Sequence, residues 1–178
     1  ARSGAVAGLC PTTEADLGDG TFAMPRWRAA GGRWGIGSDS HVCVDAALEL
    51  AALEYSQRLA TGQRNVIAGD REPDVATAMM RAAVAGGAQA SGRRVAGIAT
   101  GEAADWVVLD AGHPALAGLD AAAMLSAHVF ATDRHSAIRD VYAGGVLRVA
   151  HGHHAGQAAA NAAFVAARRA LGGAGVTA

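Results

Sequence analysis

Two short apolar runs set the pattern at the start of the chain. Residues 5–10 are apolar or small and stand between Gly4 and Pro11; residues 34–37 follow Gly31-Gly32-Arg33 and lead into a polar cluster. Runs of this length bounded by turn residues predict buried strands. Between them, residues 11–20 are polar and punctuated by Gly18 and Gly20, a stretch of ten residues. That is longer than a plain βα connection needs. It reads as a loop walling a site at the strand's carboxyl end, or as an ordinary turn in which Thr13 or Asp16 caps backbone groups. Pro25 opens a short predicted helix over 25–30, closed by Gly31-Gly32. Strand, loop, helix and strand make a βαβ unit. Such a crossover lays its strands parallel, so the 11–20 segment and the residues after 37 emerge on one rim.

Further on, the period lengthens. Asp45 is placed to cap a helix over 45–60, with Leu48, Ala52, Tyr55 and Leu59 spaced to share one face. A second helix is predicted from Pro73 to about residue 85, ended by Gly86-Gly87, with Met79 and Met80 as core filler. After Gly92 the segments shorten. Residues 105–110 read as a strand and 119–131 as a helix, while 138–143 and 146–150 flank Gly144-Gly145 as a hairpin. An alanine-rich helix follows over 156–171, and 172–178 is expected to fray. No internal repeat is detected. The chain therefore divides into a parallel α/β portion over 1–87, a small β-rich module over 88–155, and a terminal helix and tail over 156–178.

Composition changes this picture little. With 178 residues the chain can bury a real core, and a net charge of −1 argues against attraction to nucleic acid or anionic membrane. Small molecules and protein partners remain as partner classes. All 15 basic residues other than histidine are arginine, which fits a GC-rich genome better than a binding site. Cys10 and Cys43 are too few for a disulfide framework, so a reducing, cytoplasmic setting is expected. No run approaches the ~18 apolar residues of a membrane span, and no targeting pattern opens the chain. Its first residues, Ala1-Arg2-Ser3-Gly4, resemble a helix end and its cap, so the chain is expected to be a piece of something longer.

The candidate chemistry gathers in Gly35-Ile36-Gly37-Ser38-Asp39-Ser40-His41. In parallel α/β folds the carboxyl ends of strands carry reacting groups, because loops converge there while the strands hold them. Asp39 is the candidate metal ligand, or else a helix cap or turn residue. His41 could orient a carboxylate or a water, or bond backbone. The histidines of His151-Gly152-His153-His154 lack a neighbouring cysteine or acid to complete a tetrahedral set, and His113, His128 and His135 are scattered. Gly37-Ser38-Asp39-Ser40 lacks the last glycine of a nucleophile elbow, and no lysine exists to complete a phosphate loop.

These residues give the chain a family resemblance. It resembles the carboxyl-terminal part of an amidohydrolase-superfamily enzyme, most closely the formiminoglutamate deiminase family. The likeness is carried by Gly8-Leu9-Cys10-Pro11-Thr12-Thr13-Glu14-Ala15-Asp16-Leu17-Gly18-Asp19-Gly20, by Gly32-Arg33-Trp34-Gly35-Ile36-Gly37-Ser38-Asp39-Ser40-His41-Val42, and by Leu53-Glu54-Tyr55-Ser56-Gln57-Arg58-Leu59 with Arg64-Asn65. The resemblance implies a partial (β/α)8 TIM-type barrel, its last two strands and helices, beside a small β-rich composite module. It implies a zinc-dependent hydrolysis of N-formimino-L-glutamate to N-formyl-L-glutamate and ammonia in histidine degradation, by a cytoplasmic homodimer acting on a small-molecule substrate.

Asp39 then matches the carboxylate at the end of the eighth barrel strand, which in the family ligates zinc and takes the proton of the attacking water; residues 5–10 match the seventh strand. Thr13, Glu14, Ser38, Ser40 and His41 are expected to bind substrate or line the site. The family's His-x-His pair, its acid-base glutamate and its other histidines have no counterpart here, so the remaining zinc ligands are expected outside this chain and the piece alone is expected to be inactive. Asp16 stands where asparagine is usual, and Gly145 where a basic residue is usual. Another deaminase of the guanine or thioadenosine type is the nearest enzymatic rival. A non-catalytic barrel fragment serving packing or dimerisation is the alternative from a different class.

Overall fold

The computed structural model describes residues 2–69, 72–95, 97–132 and 136–173. Its first sheet has two strands, β1 (Val6–Leu9) and β2 (Arg33–Ile36), paired in parallel from Val6 opposite Arg33 to Leu9 opposite Ile36. Two helices connect them, α1 (Pro11–Leu17) and α2 (Met24–Ala29). The βαβ expectation thus holds in an α/β chain.

The segment expected as a loop over 11–20 is instead helical through Leu17. The reason is local. Pro11 sits in the first turn, where its fixed φ suits a helix and its missing N–H costs nothing. Glu14 turns its carboxylate back to accept the Cys10 N–H at 2.8 Å, and Gly18 closes the helix at φ 72°. Polar content marked a surface, and helix-terminal chemistry decided its conformation.

Two longer helices cover the sheet. Asp45 caps α3 (Ala46–Thr61), its Oδ1 accepting the Leu48 N–H at 3.0 Å, and Gly62 ends it at φ 67°. Its buried face is not the predicted stripe: Tyr55 is exposed and Leu59 is 88% exposed, whereas Leu50, Leu53, Glu54 and Gln57 are buried. The buried face carries polar residues whose bonds are made internally. The Glu54 carboxylate, fully buried, accepts from Arg58 Nε at 2.8 Å and from the Val66 and Ile67 amides at 3.0 Å each. Apolar spacing therefore pointed to the wrong side.

The following helix, α4 (Val75–Ser91), begins at Asp74 and runs through Gly86-Gly87, where an end was expected, to a cap at Gly92. Those glycines are a crossing point. A Cβ on Gly86 would collide with the Trp34 carbonyl, and one on Gly35 would lie 3.1 Å from the Gly87 nitrogen. Helix and strand touch backbone to backbone, which only glycine permits. Met79 is fully buried beside Leu9, Trp34 and Leu50 in one core, with Met80 packed against it.

The second sheet is antiparallel throughout, in the order β3 (Trp106–Leu109), β4 (Ile138–Ala143), β5 (Val146–Ala150) and β6 (His153–His154). Gly144 and Gly145, at φ 60° and 75°, make the expected two-residue turn. Between β3 and β4 lies α5 (Ala121–Phe130), which packs on α3 and α4; its Val129 joins the first sheet's core. Ser126 of α5 donates to Asp74 Oδ2 at 2.5 Å. The final helix, α6 (Gln157–Gly173), has every described side chain exposed, including Phe164 and Leu171. No described helix is long and apolar enough to cross a membrane. His135 and residues 174–178 of the expected frayed tail lie outside the described residues.

Candidate active site

The carboxyl ends of β1 and β2 form one rim. Gly37 N–H donates to the Leu9 carbonyl at 2.9 Å, carrying the strand pairing one residue beyond β2 before the chain turns. In that turn Asp39 takes φ 48°. A left-handed conformation is unfavourable for residues with a Cβ, least so for Asp and Asn, and costs about 1 kcal/mol. Two donors hold the carbonyl just before it. His41 N–H reaches Ser38 O at 2.9 Å from within the turn, and Thr13 Oγ1 reaches the same oxygen at 2.7 Å from α1.

His41 serves the turn as well. Its Nδ1 accepts the Cys43 N–H at 3.0 Å, so the ring proton sits on Nε2, which faces Asp16 Oδ2 at 3.4 Å. Asp16, noted as a departure from the family's asparagine, is thus the partner of the turn's histidine. Asp39 differs from these neighbours. No hydrogen bond or ion pair ties its carboxylate to another described residue, and the residue is exposed.

The six expected site residues therefore come together on one rim but fall into two groups. Thr13 and Glu14 are committed to structure: Thr13, 6% exposed, to the Ser38 carbonyl, and Glu14 to the Cys10 amide. Asp39 and Ser40 face outward from the turn. Ser38 lines a hollow of ≈ 200 Å³ with Ile36, Gly37, Val44, Asp45 and Glu49, and Glu14 lines another of ≈ 320 Å³ beside Phe22, Leu53 and Ser56.

Glu49 was missed by sequence reasoning. It is 1% exposed; Oε2 accepts the Thr12 N–H at 3.0 Å and Oε1 accepts the Thr12 hydroxyl. A carboxylate at a helix start is well placed electrostatically, since the first N–H groups point at it. Its only sequence signal was its place one turn into a helix that leaves a site strand. The rim is rich in negative charge. Burial pushes the Cys10 thiol up, the Asp39, Glu14 and Glu49 carboxylates push it further, and only the hydrogen bond with the Gly37 backbone opposes them.

A metal tests this donor set. Asp39 supplies one open carboxylate oxygen pair of the kind zinc accepts, but no group of three or more His, Cys, Asp or Glu among the described residues could hold a metal ion. Among the described residues, then, Asp39 is a fitting donor but no complete metal site is formed. His153 and His154 are exposed on β6, and His151 lies in the turn before it at φ 49°.

No protein-family profile matches the chain. It is 48% identical over 166 residues to a formimidoylglutamate deiminase from Pseudomonas aeruginosa, covering 93% of this chain and 36% of that protein. The chain resembles the carboxyl-terminal part of that enzyme. It also superposes on an amidohydrolase from Brucella melitensis with a TM-score of 0.86 and 43% identity, over 97% of this chain and 37% of the other. An adenosine deaminase from Xanthomonas campestris, solved with bound zinc, shares the fold at a TM-score of 0.71 and 23% identity, over 90% of this chain and 36% of its own. The chain spans about a third of the length of the proteins it matches. The family likeness of the strand-end and Cys-Pro-Thr-Thr-Glu segments is therefore matched by amidohydrolase neighbours in structure.

Proposed function

We propose that the chain is the carboxyl-terminal part of a zinc-dependent deiminase that hydrolyses N-formimino-L-glutamate to N-formyl-L-glutamate and ammonia in histidine degradation. The observation that carries this is the open Asp39 carboxylate at the carboxyl end of a parallel strand, in a chain 48% identical to a formimidoylglutamate deiminase. In this reading β1 and β2 are the seventh and eighth strands of a (β/α)8 barrel, residues 1–87 belong to that barrel, 88–155 to a small β-rich module, and 156–178 to a terminal helix and tail. The edges of the two-stranded sheet, unpaired among the described residues, support it, since a barrel pairs both.

Asp39 is both a zinc ligand and the proton acceptor. Water oxygen bonds to the formimino carbon while Asp39 takes one water proton and passes it to the imino nitrogen; the remaining proton of the new hydroxyl follows to the same nitrogen as the C–N bond breaks, the formyl carbonyl forms and ammonia leaves. Zinc, held with donors outside this chain, would lower the pKa of the water and polarise the electrophile. Ser38, Ser40 and His41 share the turn with Asp39, Ser38 at the smaller hollow, and Glu14 borders the neighbouring one. The whole enzyme is proposed to be a cytoplasmic homodimer.

The test is ammonia release by the full-length protein from N-formimino-L-glutamate, guanine and thioadenosine, with zinc content measured on the same sample. The proposal expects turnover of the first alone, about one zinc per chain, and a loss of about 100- to 10,000-fold in Asp39→Asn. Turnover of guanine or thioadenosine instead would move the assignment to those deaminases. No turnover and no metal would leave a non-catalytic fragment serving packing or dimerisation.

A further inference from the structure

We propose that Thr13 is a positioning residue for Asp39, acting through the Ser38 carbonyl; this rests on the reading of Asp39 as the reacting carboxylate. The peptide linking Ser38 to Asp39 sets the direction in which the Asp39 side chain leaves the turn. Because Asp39 sits at φ 48°, that direction is not one the residue would keep unaided. Of the two donors on the Ser38 carbonyl, His41 N–H belongs to the same turn and moves with it. Thr13 Oγ1, at 2.7 Å, comes from 25 residues earlier in the chain and ties the turn to a separate element.

That element is itself fixed. Thr12, the neighbour of Thr13, gives both its N–H and its hydroxyl to Glu49, which is 1% exposed on α3. Glu14, on the other side, returns its carboxylate to the Cys10 amide at the end of β1. The first turn of α1 is thereby clamped to a helix on one side and a strand on the other, with the Thr13 hydroxyl directed at the catalytic turn. The His41 to Asp16 contact cannot substitute for it. It is longer, at 3.4 Å, and the Asp16 side chain is 69% exposed.

The experiment compares Thr13→Val, Thr13→Ser and Asp39→Asn in the full-length protein, measuring kcat and KM for N-formimino-L-glutamate. Valine keeps the shape and removes the donor; serine keeps the donor. The expectation for Thr13→Val is a kcat lower by about 10- to 100-fold, the scale of a small misplacement of a reacting group. KM should stay within about twofold, since binding of ground state and transition state would otherwise fall together. Thr13→Ser should recover most of the kcat. Amide exchange gives a readout independent of turnover: His41 N–H should exchange faster in Thr13→Val, while the β1 and β2 amides keep their protection.

Full kcat in Thr13→Val beside an inactive Asp39→Asn would overturn the positioning role and leave Asp39 in place. Equal loss in the valine and serine variants would also overturn it, because the hydroxyl would then not be the cause. An active Asp39→Asn would instead remove the functional reading on which the proposal rests. Thr13→Ala covers the case in which valine prevents folding, with the same expectation. Failure of both variants to fold would assign Thr13 to the fold as a whole and overturn the proposal.

Discussion

Adjacent glycines in α4 predict opposite responses to the same substitution. Gly86→Ala places a methyl group against the Trp34 carbonyl of β2, inside contact distance of backbone atoms that have no rotamer to change. Helix and strand must separate. Overpacking of this kind costs about 1–3 kcal/mol, and a rigid backbone neighbour puts Gly86 at the upper end. Replacing a helix-interior glycine by alanine recovers roughly 1 kcal/mol, so a net loss of about 2 kcal/mol remains. Gly87→Ala meets nothing within 4 Å and keeps only the favourable part. At roughly 2.1 cal/mol/K of unfolding entropy per residue, a full-length protein about three times this length shifts by about 1 °C per kcal/mol, so the first variant should melt about 2 °C lower and the second about 1 °C higher. Circular dichroism at 222 nm, recorded on the full-length protein with either variant, measures both shifts. Because β2 leads directly into the Asp39 turn, Gly86→Ala should also lower kcat, whereas Gly87→Ala should not. Shifts of the same sign in the two variants would refute the backbone contact between α4 and β2.

Two further outcomes follow from contacts outside the rim. Ser126→Ala removes a donor from Asp74 and should cost about 1 kcal/mol near neutral pH. Burial pushes the Asp74 carboxyl up, but the Ser126 and Thr77 hydrogen bonds outweigh it and hold the group below its ordinary value. A depressed carboxyl contributes stability above its unfolded pKa and loses it as pH falls through the folded one, so the effect of Ser126→Ala should shrink below about pH 4; a pH-independent difference in melting temperature would contradict it. The 178-residue chain expressed alone should self-associate, because Phe164 and Leu171 of α6 are exposed and both edges of the two-stranded sheet are unpaired among the described residues. A sedimentation profile of a single monomer across a hundredfold concentration range would count against that.

Local signals of one kind were legible in the sequence. Asp45 and Gly144-Gly145 act through bonds within a few residues, so the start of α3 and the hairpin turn could be placed before any tertiary contact was known. The failures share a cause. Gly86-Gly87 looks like a helix end unless Trp34 is known to lie across it, and the polar 11–20 segment looks like a loop unless the Glu14 to Cys10 bond is counted. The α3 stripe of Leu48, Ala52, Tyr55 and Leu59 is the apolar periodicity, yet Glu54 and Gln57 on the other side are buried because distant amides and carbonyls satisfy them. A pattern method reads side chains as polar or apolar. It has no means of seeing that a carboxylate has been supplied with two backbone donors.

The same limit separates Asp39 from the residues around it. Its position after an apolar run was visible, and so was the crowding of Ser38, Ser40 and His41 beside it. What the sequence could not sort is which of the polar neighbours remain available for chemistry. The structure sorts them by their partners: Thr13 is tied to the Ser38 carbonyl, Glu14 to the Cys10 amide and Glu49 to Thr12, while the Asp39 carboxylate is left without a partner among the described residues. A carboxylate already accepting buried hydrogen bonds would have to break them to take up a metal or a proton, at a cost of about 1–3 kcal/mol for each group left unsatisfied. Asp39 bears no such cost. The rim thus places three carboxylates near Cys10 and leaves to one of them, Asp39, the freedom to react.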